Sequence, residues 1–343
     1  MSEGLRLDSE RCVGCMLCLA ACPTGALDWR DEGEGLLGRM RSLLAVEPGG
    51  TGTKWERGAA GLSFACQEND SLYGKNESRL SVPCIGCVSP SLILLAVAWG
   101  AGDVLLDNRS CRSCSWGAGP ALAARSLRQA MRTLDILSGS NAPALTPGPN
   151  PPDYSSVSRR KFFSRLGRRL GEAAVLALLP EDGPQPRAVP KQSALPRERS
   201  RLALAVGLLG PPRILWAEAT DLPFYPLEAA GERCDGCAFC ARFCPTGALE
   251  SSEAGEEWRL AFRLSRCPGC GLCLETCPQE ALSWSGLVDS SQMSGGESLL
   301  VRGTSRLCPA CRKATVRAAG ESLCSRCKSE KESEESYLEL VKG

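Results

Sequence analysis

The sequence is constrained first by a cysteine spacing that it repeats three times. Cys12, Cys15, Cys18 and Cys22, followed by Pro23, form one copy of C-x2-C-x2-C-x3-C-P. Cys234, Cys237, Cys240, Cys244 and Pro245 form a second, and Cys267, Cys270, Cys273, Cys277 and Pro278 a third. The string Cys-Pro-Thr-Gly-Ala-Leu stands at both 22–27 and 244–249, and 277–282 varies it as Cys-Pro-Gln-Glu-Ala-Leu. Three such copies are not a chance pattern. The chain has 21 cysteines in 343 residues, yet no histidine. The missing histidine excludes Ser-His-Asp and Cys-His catalysis, histidine-bound zinc, Rieske clusters and histidine-ligated haem. Any metal in this chain is therefore expected on thiolate.

The chain is too long for a disulfide-stapled mini-protein, and its length suggests two or three small domains. With 40 basic against 39 acidic residues, net charge points neither to nucleic acid nor to a membrane surface. Aromatic residues make up only 5%, little material for one large core. Met1–Arg11 is polar and shows no cleavable signal pattern, and the longest apolar run, Leu92–Trp99, is too short to span a bilayer. These features predict a soluble, cytoplasmic chain in a reducing compartment, where the cysteines serve as metal ligands rather than disulfides.

The three motifs resemble those of the bacterial-type ferredoxins. Three thiols at two-residue intervals wrap a loop around one cubane, and Gly14, Gly236 and Gly269 let the backbone approach the sulfurs. The proline after the fourth cysteine suits the first position of a helix. In two-cluster ferredoxins that fourth thiolate ligates the other cluster. The resemblance therefore implies one [4Fe–4S] cluster on Cys234, Cys237, Cys240 and Cys277, and another on Cys267, Cys270, Cys273 and Cys244. A structural zinc site is the rival reading, but zinc rarely uses three closely spaced cysteines plus C-x3-C-P. The N-terminal motif implies a third [4Fe–4S] on Cys12, Cys15 and Cys18. Its fourth ligand is left open between Cys22 and a cysteine from farther along the chain.

Residues 61–138 read as a small α/β unit with short strands at Leu62–Ala65, Leu80–Val82 and Asp103–Leu106. Helices are expected at Ser91–Trp99 and Pro120–Leu137, the latter with a stripe of Leu122, Leu127, Met131 and Leu134. Cys66, Cys84, Cys87, Cys111 and Cys114 would then lie at or just beyond strand ends, where parallel sheets carry their sites. Pro83-Cys84-Ile85-Gly86, Gly100-Ala101-Gly102-Asp103-Val104-Leu105-Leu106, Cys111-x2-Cys114 and Gly119 resemble the delta subunit of methyl-viologen-reducing hydrogenase. That resemblance spans 58–140 and implies a [2Fe–2S] cluster on Cys66, Cys84, Cys111 and Cys114. It further implies electron exchange between a hydrogenase or formate dehydrogenase and a heterodisulfide reductase. The histidines usual near the last two cysteines are absent, and Cys66 lacks a neighbouring second cysteine. Cys87 is spare, available to this cluster or to the N-terminal one. A thioredoxin-like dithiol and plain buried cysteines are the rival readings here.

Fourteen of the 23 prolines fall between Pro143 and Pro226, which marks 141–226 as a linker. Within it, Ser158-Arg159-Arg160-Lys161-Phe162-Phe163 resembles a twin-arginine export signal, but its mid-chain position argues against export. Residues 158–179 are read as a basic amphipathic helix in a solvated linker, with docking on an acidic partner or a membrane surface as the alternative. Cys308-x2-Cys311 and Cys324-x2-Cys327 have the spacing of a four-cysteine zinc ribbon. A rubredoxin-type iron site would share that geometry, but Arg312, Lys313, Arg326 and Lys328 around the knuckles favour zinc. The acidic tail beyond 330 argues against nucleic-acid binding.

The expected fold class is a multidomain α+β chain. It comprises an N-terminal motif region (1–57), an α/β domain with parallel strands (58–140), the linker, a ferredoxin-like pair (227–290) and a zinc ribbon with its tail (300–343). The expected function is a non-catalytic electron-transfer adaptor subunit of an oxidoreductase complex. The alternative is a redox-sensing or assembly protein that binds a macromolecule through the ribbon and basic helix.

Overall fold

The computed structural model describes residues 12–27, 35–44, 61–66, 79–112, 114, 118–138, 144–147, 195–312, 314–317, 323–324 and 327–328, with 10 and 331. The basic segment 158–179 lies outside the described residues, as does most of the acidic tail. No helix among the described residues is long and apolar enough to cross a membrane.

Helices α1 (Leu17–Ala21) and α2 (Leu36–Leu43) precede a parallel sheet of β1 (Gly61–Cys66), β2 (Arg79–Val82), β3 (Asp103–Asp107) and β4 (Ala144–Pro147). The strand order is β2-β1-β3-β4, with every pairing parallel. Parallel neighbours need crossovers. Helix α3 (Pro90–Ala98) joins β2 to β3, and α4 (Gly119–Ser138) joins β3 to β4. Since β2 and β3 flank β1, the sheet reverses its direction of growth there. The crevice between the carboxyl ends of β1 and β3 is thus a topological switch point.

Local chemistry explains the crossovers. Pro90 occupies the first turn of α3, where a missing N–H costs nothing. The helix ends in a Schellman motif, with Gly100 N–H donating to Val97 O and Ala101 N–H to Ala96 O. Every residue from Ser91 to Ala98 is buried, so the unbroken apolar run is that of a helix covered on all faces. In α4 the buried stripe runs through Ala123, Leu127, Ala130, Leu134 and Leu137. Met131, expected in that stripe, is 44% exposed. Helices α3 and α4 are in contact, and the small residues Ala123 and Ala130 lie on the buried side of α4.

The structure differs from the linker reading at both ends of 141–226. Ala144–Pro147 is the outer strand of the parallel sheet. Arg197–Leu209 forms α5, which packs along α3 with Leu202, Ala205 and Val206 buried. Proline content marked this stretch as a linker. Helix α5 has none of those prolines inside it, and Pro196 stands at its N-cap.

The ferredoxin-type segment is closed by β6 (Leu227–Ala229), antiparallel to β9 (Leu282–Trp284). Short helices α6 (Phe239–Arg242) and α7 (Leu272–Glu275) carry the third cysteine of each motif. Between the motifs, the hairpin β7 (Leu249–Ala254) and β8 (Glu257–Phe262) is extended by β11 (Ser298–Leu307) and β12 (Ala314–Arg317) in the order β12-β11-β8-β7. The ribbon's first strand is thus part of the ferredoxin-type sheet. A small pair, β5 (Trp216–Glu218) with β10 (Leu287–Asp289), completes this region.

The two halves meet at the start of α5. The Glu198 carboxylate accepts from Ser91 N at 3.3 Å and from Ser91 Oγ at 2.7 Å, an anion at the N-terminus of α3. Replacing Glu198 with alanine leaves that helix end without its acceptor. The expected loss is about 1–2 kcal/mol of stability, read as a lower urea midpoint for the tertiary signal.

Candidate metal centres

The three ferredoxin-type motifs share one backbone. In each, the residues flanking the second cysteine are left-handed: Gly14 and Met16, Gly236 and Ala238, Gly269 and Gly271, with φ between 58° and 79°. Successive left-handed turns direct backbone N–H groups toward an anionic centre. Met16 and Ala238 adopt this conformation although a Cβ disfavours it, as expected where a site dictates the backbone. The fourth cysteines share a second device. Ala248 N–H donates to Cys244 Sγ at 3.2 Å and Ala281 N–H to Cys277 Sγ at 3.3 Å. Burial raises the Cys22 thiol, but backbone N–H groups of Leu27, Ala26 and Gly25 and the Thr24 hydroxyl outweigh it and draw it below its ordinary value. The repeated Cys-Pro-x-x-Ala-Leu string is therefore a turn that aims amides at sulfur.

The crossed pairing expected of the last two motifs is present as two cavities. One is lined by Cys234, Cys237, Cys240 and Cys277, the other by Cys244, Cys267, Cys270 and Cys273. Burial, then the charge of neighbouring thiols, pushes Cys240 up to about 12. Burial likewise raises Cys237 and Cys267 to about 12 and drives Cys273 higher still. Such thiols stay protonated at neutral pH unless a cation takes the proton's place, which is the chemistry of a metal site. Four converging thiols, amides aimed at sulfur and apolar walls fit a [4Fe–4S] cluster in each cavity.

The middle cysteines converge on the carboxyl edge of the parallel sheet. Cys66 ends β1 with its Sγ 3.3 Å from Pro83 O. Cys84 follows β2 and is 5% exposed. Cys111 lies in the 3-10 turn Arg109–Arg112 after β3, and Cys114 N–H donates to its carbonyl. Burial raises Cys84, and the charges of Cys66, Cys114 and Cys15 add to it. Burial similarly carries Cys111 to about 12, reinforced by Cys84, Cys114, Cys66 and Asp107. Cys84 and Cys111 are thus each within electrostatic reach of Cys66 and Cys114. Room for them depends on glycine: a Cβ on Gly119 would lie 2.6 Å from Cys84 Sγ, and one on Gly86 2.7 Å from Gly119 Cα. Asp107, with 2% of its side chain exposed, accepts from Arg109 Nε at 2.8 Å and Nη2 at 2.6 Å, which pins the turn bearing Cys111. Those bonds hold its carboxyl below the ordinary carboxylate range.

The N-terminal motif packs on this edge. Helix α1 lies against the 3-10 turn Ile85–Cys87, and a Cβ on Gly86 would meet Leu17. Burial takes Cys87 up to about 11, with Cys84 and Cys15 contributing their charge. The spare thiol thus lies between the N-terminal motif and the middle cysteines. Cys12 and Cys18 are exposed.

At the C-terminus, the ligand atoms of Cys308, Cys311, Cys324 and Cys327 all lie within 4.8 Å of one another. Cys311 Sγ and Cys324 Sγ are 3.8 Å apart. A tetrahedron with metal–sulfur bonds of about 2.3 Å has edges of about 3.8 Å, so the spacing suits one four-coordinate ion. Backbone N–H groups of Cys311 and Cys324 bring Cys308 down to about 6. This site adjoins a cluster cavity: Val316 N–H donates to Asp235 O at 2.9 Å, and a Cβ on Gly236 would overlap Val316.

Comparison with protein families agrees with this geometry. Residues 233–281 match the 4Fe-4S dicluster domain, and residues 5–28 match the 4Fe-4S binding domain. The chain carries iron–sulfur modules. These domains point to an iron–sulfur electron-transfer role. No curated protein matches the chain.

Sequence reasoning missed Arg199, Asp107 and the close approach of Gly86 to Gly119, which depend on distant partners. One miss was visible in the repeats. Glu280, aligned with Gly25 and Gly247, is exposed and left-handed at φ 47°. Glu280→Gly is expected to stabilise the chain by about 1 kcal/mol, read as a higher denaturation midpoint. A second expectation concerns the four-cysteine site. For a site that holds an ion, chelation is expected to release β12 and accelerate hydrogen exchange at the Val316 amide by tenfold or more, while amides of β1 and β3 stay protected.

Proposed function

We propose that this chain is an electron-transfer adaptor that passes single electrons between a partner dehydrogenase or hydrogenase and an acceptor such as a heterodisulfide-reductase-like complex. The observation that carries the reading is the pair of cavities, each lined by four thiols from crossed motifs, inside a segment that matches the 4Fe-4S dicluster domain. A cluster bound there supplies a reversible one-electron acceptor whose potential follows charge, hydrogen bonds to sulfur and exposure. The chain's own residues bind through thiolate, aim amides at the sulfurs and exclude water with the buried Trp258, Leu260 and Phe262.

In this proposal Cys234, Cys237, Cys240 and Cys277 hold one [4Fe–4S], and Cys267, Cys270, Cys273 and Cys244 the other. A third is held by Cys12, Cys15 and Cys18, with Cys22 or Cys87 as fourth ligand. The shared left-handed backbone of the motifs supports that assignment. Cys66, Cys84, Cys111 and Cys114 hold a [2Fe–2S], supported by their convergence on the switch-point edge. Cys308, Cys311, Cys324 and Cys327 hold zinc, supported by the 3.8 Å sulfur spacing. The choice of partners, hydrogenase, formate dehydrogenase or a heterodisulfide-reductase-like complex, rests on the hydrogenase delta-subunit resemblance of 58–140. The cytoplasmic setting rests on cysteine usage. The hydrogen bond between the ribbon strand and the first cluster loop favours one further reading, a redox sensor in which cluster state is passed to a partner docked on the ribbon.

Anaerobic iron, sulfide and zinc quantitation with EPR of the dithionite-reduced chain tests the assignment. About 14 Fe and one zinc per chain are expected from these cluster types. Eight Fe or fewer overturns the N-terminal and middle assignments. Reduced clusters that pass no electrons on, but whose loss changes partner binding, would favour the sensor.

A further inference from the structure

Helix α5 delivers one buried charge to the dicluster segment. Arg199 is 4% exposed. Its Nη1 donates to Pro223 O at 2.7 Å, Nη2 to Leu264 O at 3.1 Å and Nε to Ser265 O at 3.2 Å. The guanidinium carbon lies 5.4 Å from the Phe224 ring centroid. All three acceptors are neutral carbonyls, and the adjacent Glu198 directs both carboxylate oxygens to Ser91. A buried cation without a bonded anion is costly. The groups whose charge acts on it are Cys267 first, then Glu198, whose carboxylate is engaged at Ser91, and Tyr225. Leu264 O also accepts from Cys267 N–H at 3.1 Å, so a single carbonyl joins the guanidinium to the backbone of a cluster ligand.

The other cavity has the opposite charge. Asp235 sits between Cys234 and Cys237, accepts from Cys237 N–H at 3.1 Å, and takes a long bond from Gln279 Nε2 at 3.4 Å. Its carboxylate faces Cys234 and Cys237.

We infer that Arg199 is the fixed counter-cation of the Cys244, Cys267, Cys270 and Cys273 cluster, holding its reduction potential above that of the Cys234, Cys237, Cys240 and Cys277 cluster beside Asp235. The inference rests on the iron–sulfur reading above. Uptake of one electron from a one-electron donor adds one unit of negative charge to the site, and no proton moves at Arg199. A buried positive charge close by favours that charged state, whereas Asp235 disfavours it in the neighbouring site. The pair is thereby polarised: the electron rests on the cluster beside α5, the helix that also touches the middle unit.

The test is an EPR-monitored redox titration of the cluster-loaded full chain. Arg199→Gln is expected to lower the reduced-to-oxidised ratio of one [4Fe–4S] about tenfold at fixed potential, or 59 mV for one electron. The other clusters stay within threefold. Arg199→Lys, which keeps the charge and loses the fork, stays within threefold of wild type. Asp235→Asn shifts the other cluster upward by a smaller factor, since Asp235 is partly solvated. A fully loaded Arg199→Gln chain with unchanged midpoints, or with all midpoints lowered equally, overturns the inference. If Arg199→Gln fails to load, wild type still decides through hyperfine-shifted cysteine β-proton signals in a half-reduced sample. An electron found first on the Cys234, Cys237, Cys240 and Cys277 cluster overturns it, and one found first on the Cys267 side supports it. Iron counts separate the two levels. A wild-type chain lacking two cubanes sinks the iron–sulfur reading, whereas a loaded chain with the wrong order sinks the role of Arg199 alone.

Discussion

The arrangement depends on four consecutive residues at the start of α5. Pro196 packs against the Cys-Pro-Thr-Gly turn of the N-terminal motif, since a Cβ on Gly25 would lie 3.0 Å from Pro196 Cβ. Glu198 reaches the N-terminus of α3 in the parallel α/β unit, and Arg199 reaches three carbonyls in the ferredoxin-type segment. One helical turn therefore touches three of the four cysteine-bearing units. The contacts are polar and directional, unlike the apolar face of Leu202, Ala205 and Val206 that follows them. Apolar packing along α3 tolerates sliding, whereas a bidentate carboxylate and a three-pronged guanidinium fix distance and rotation. Electron transfer between sites needs that fixity more than it needs raw stability.

A second constraint is covalent geometry around sulfur. A cluster ligand must bring its thiolate, its backbone amides and the chain's exit into one small volume, and only certain backbones do so. This is why the three motifs repeat their left-handed positions as faithfully as their cysteines, and why two of those positions hold Met16 and Ala238 rather than glycine. The same logic applies at the sheet edge. There Gly86 and Gly119 stand in for the missing motif by letting two backbones meet beside Cys84.

These constraints explain what was legible in the sequence. The cysteine motifs were readable because ligand spacing is a local property, and their crossed pairing came from the ferredoxin resemblance. β1, β2, β3, α3 and α4 were readable from their strong apolar periods. The stripe on α4 was read one position off: Ala130, which looks unremarkable in sequence, is buried where Met131 was expected. What was not legible was non-local. β4 and α5 sit among prolines, and only partners far along the chain show that they pack. The ribbon was read from its four cysteines, yet its first strand pairs with β8 in a neighbouring unit. Arg199 gave no signal at all, since one arginine among the basic residues near it is ordinary until its acceptors are known.

Burial orders the candidate sites in a way that bears on direction. Cys12 and Cys18 are exposed, whereas in the ferredoxin-type pair Cys237 is exposed and Cys240, Cys244, Cys267 and Cys273 are buried. An exposed cluster exchanges electrons readily with a docked partner, because tunnelling falls steeply with the thickness of protein between the two. A buried cluster is protected from solvent and is tuned by fixed charges such as Arg199. The N-terminal motif, with Val13 53% exposed beside Cys12 and Cys15 near Cys84 and Cys87, has the character of a port onto the middle site. On the proposed assignment, then, a partner that docks at residues 12–18 meets two exposed cysteines, Cys12 and Cys18, in a motif that adjoins the middle site.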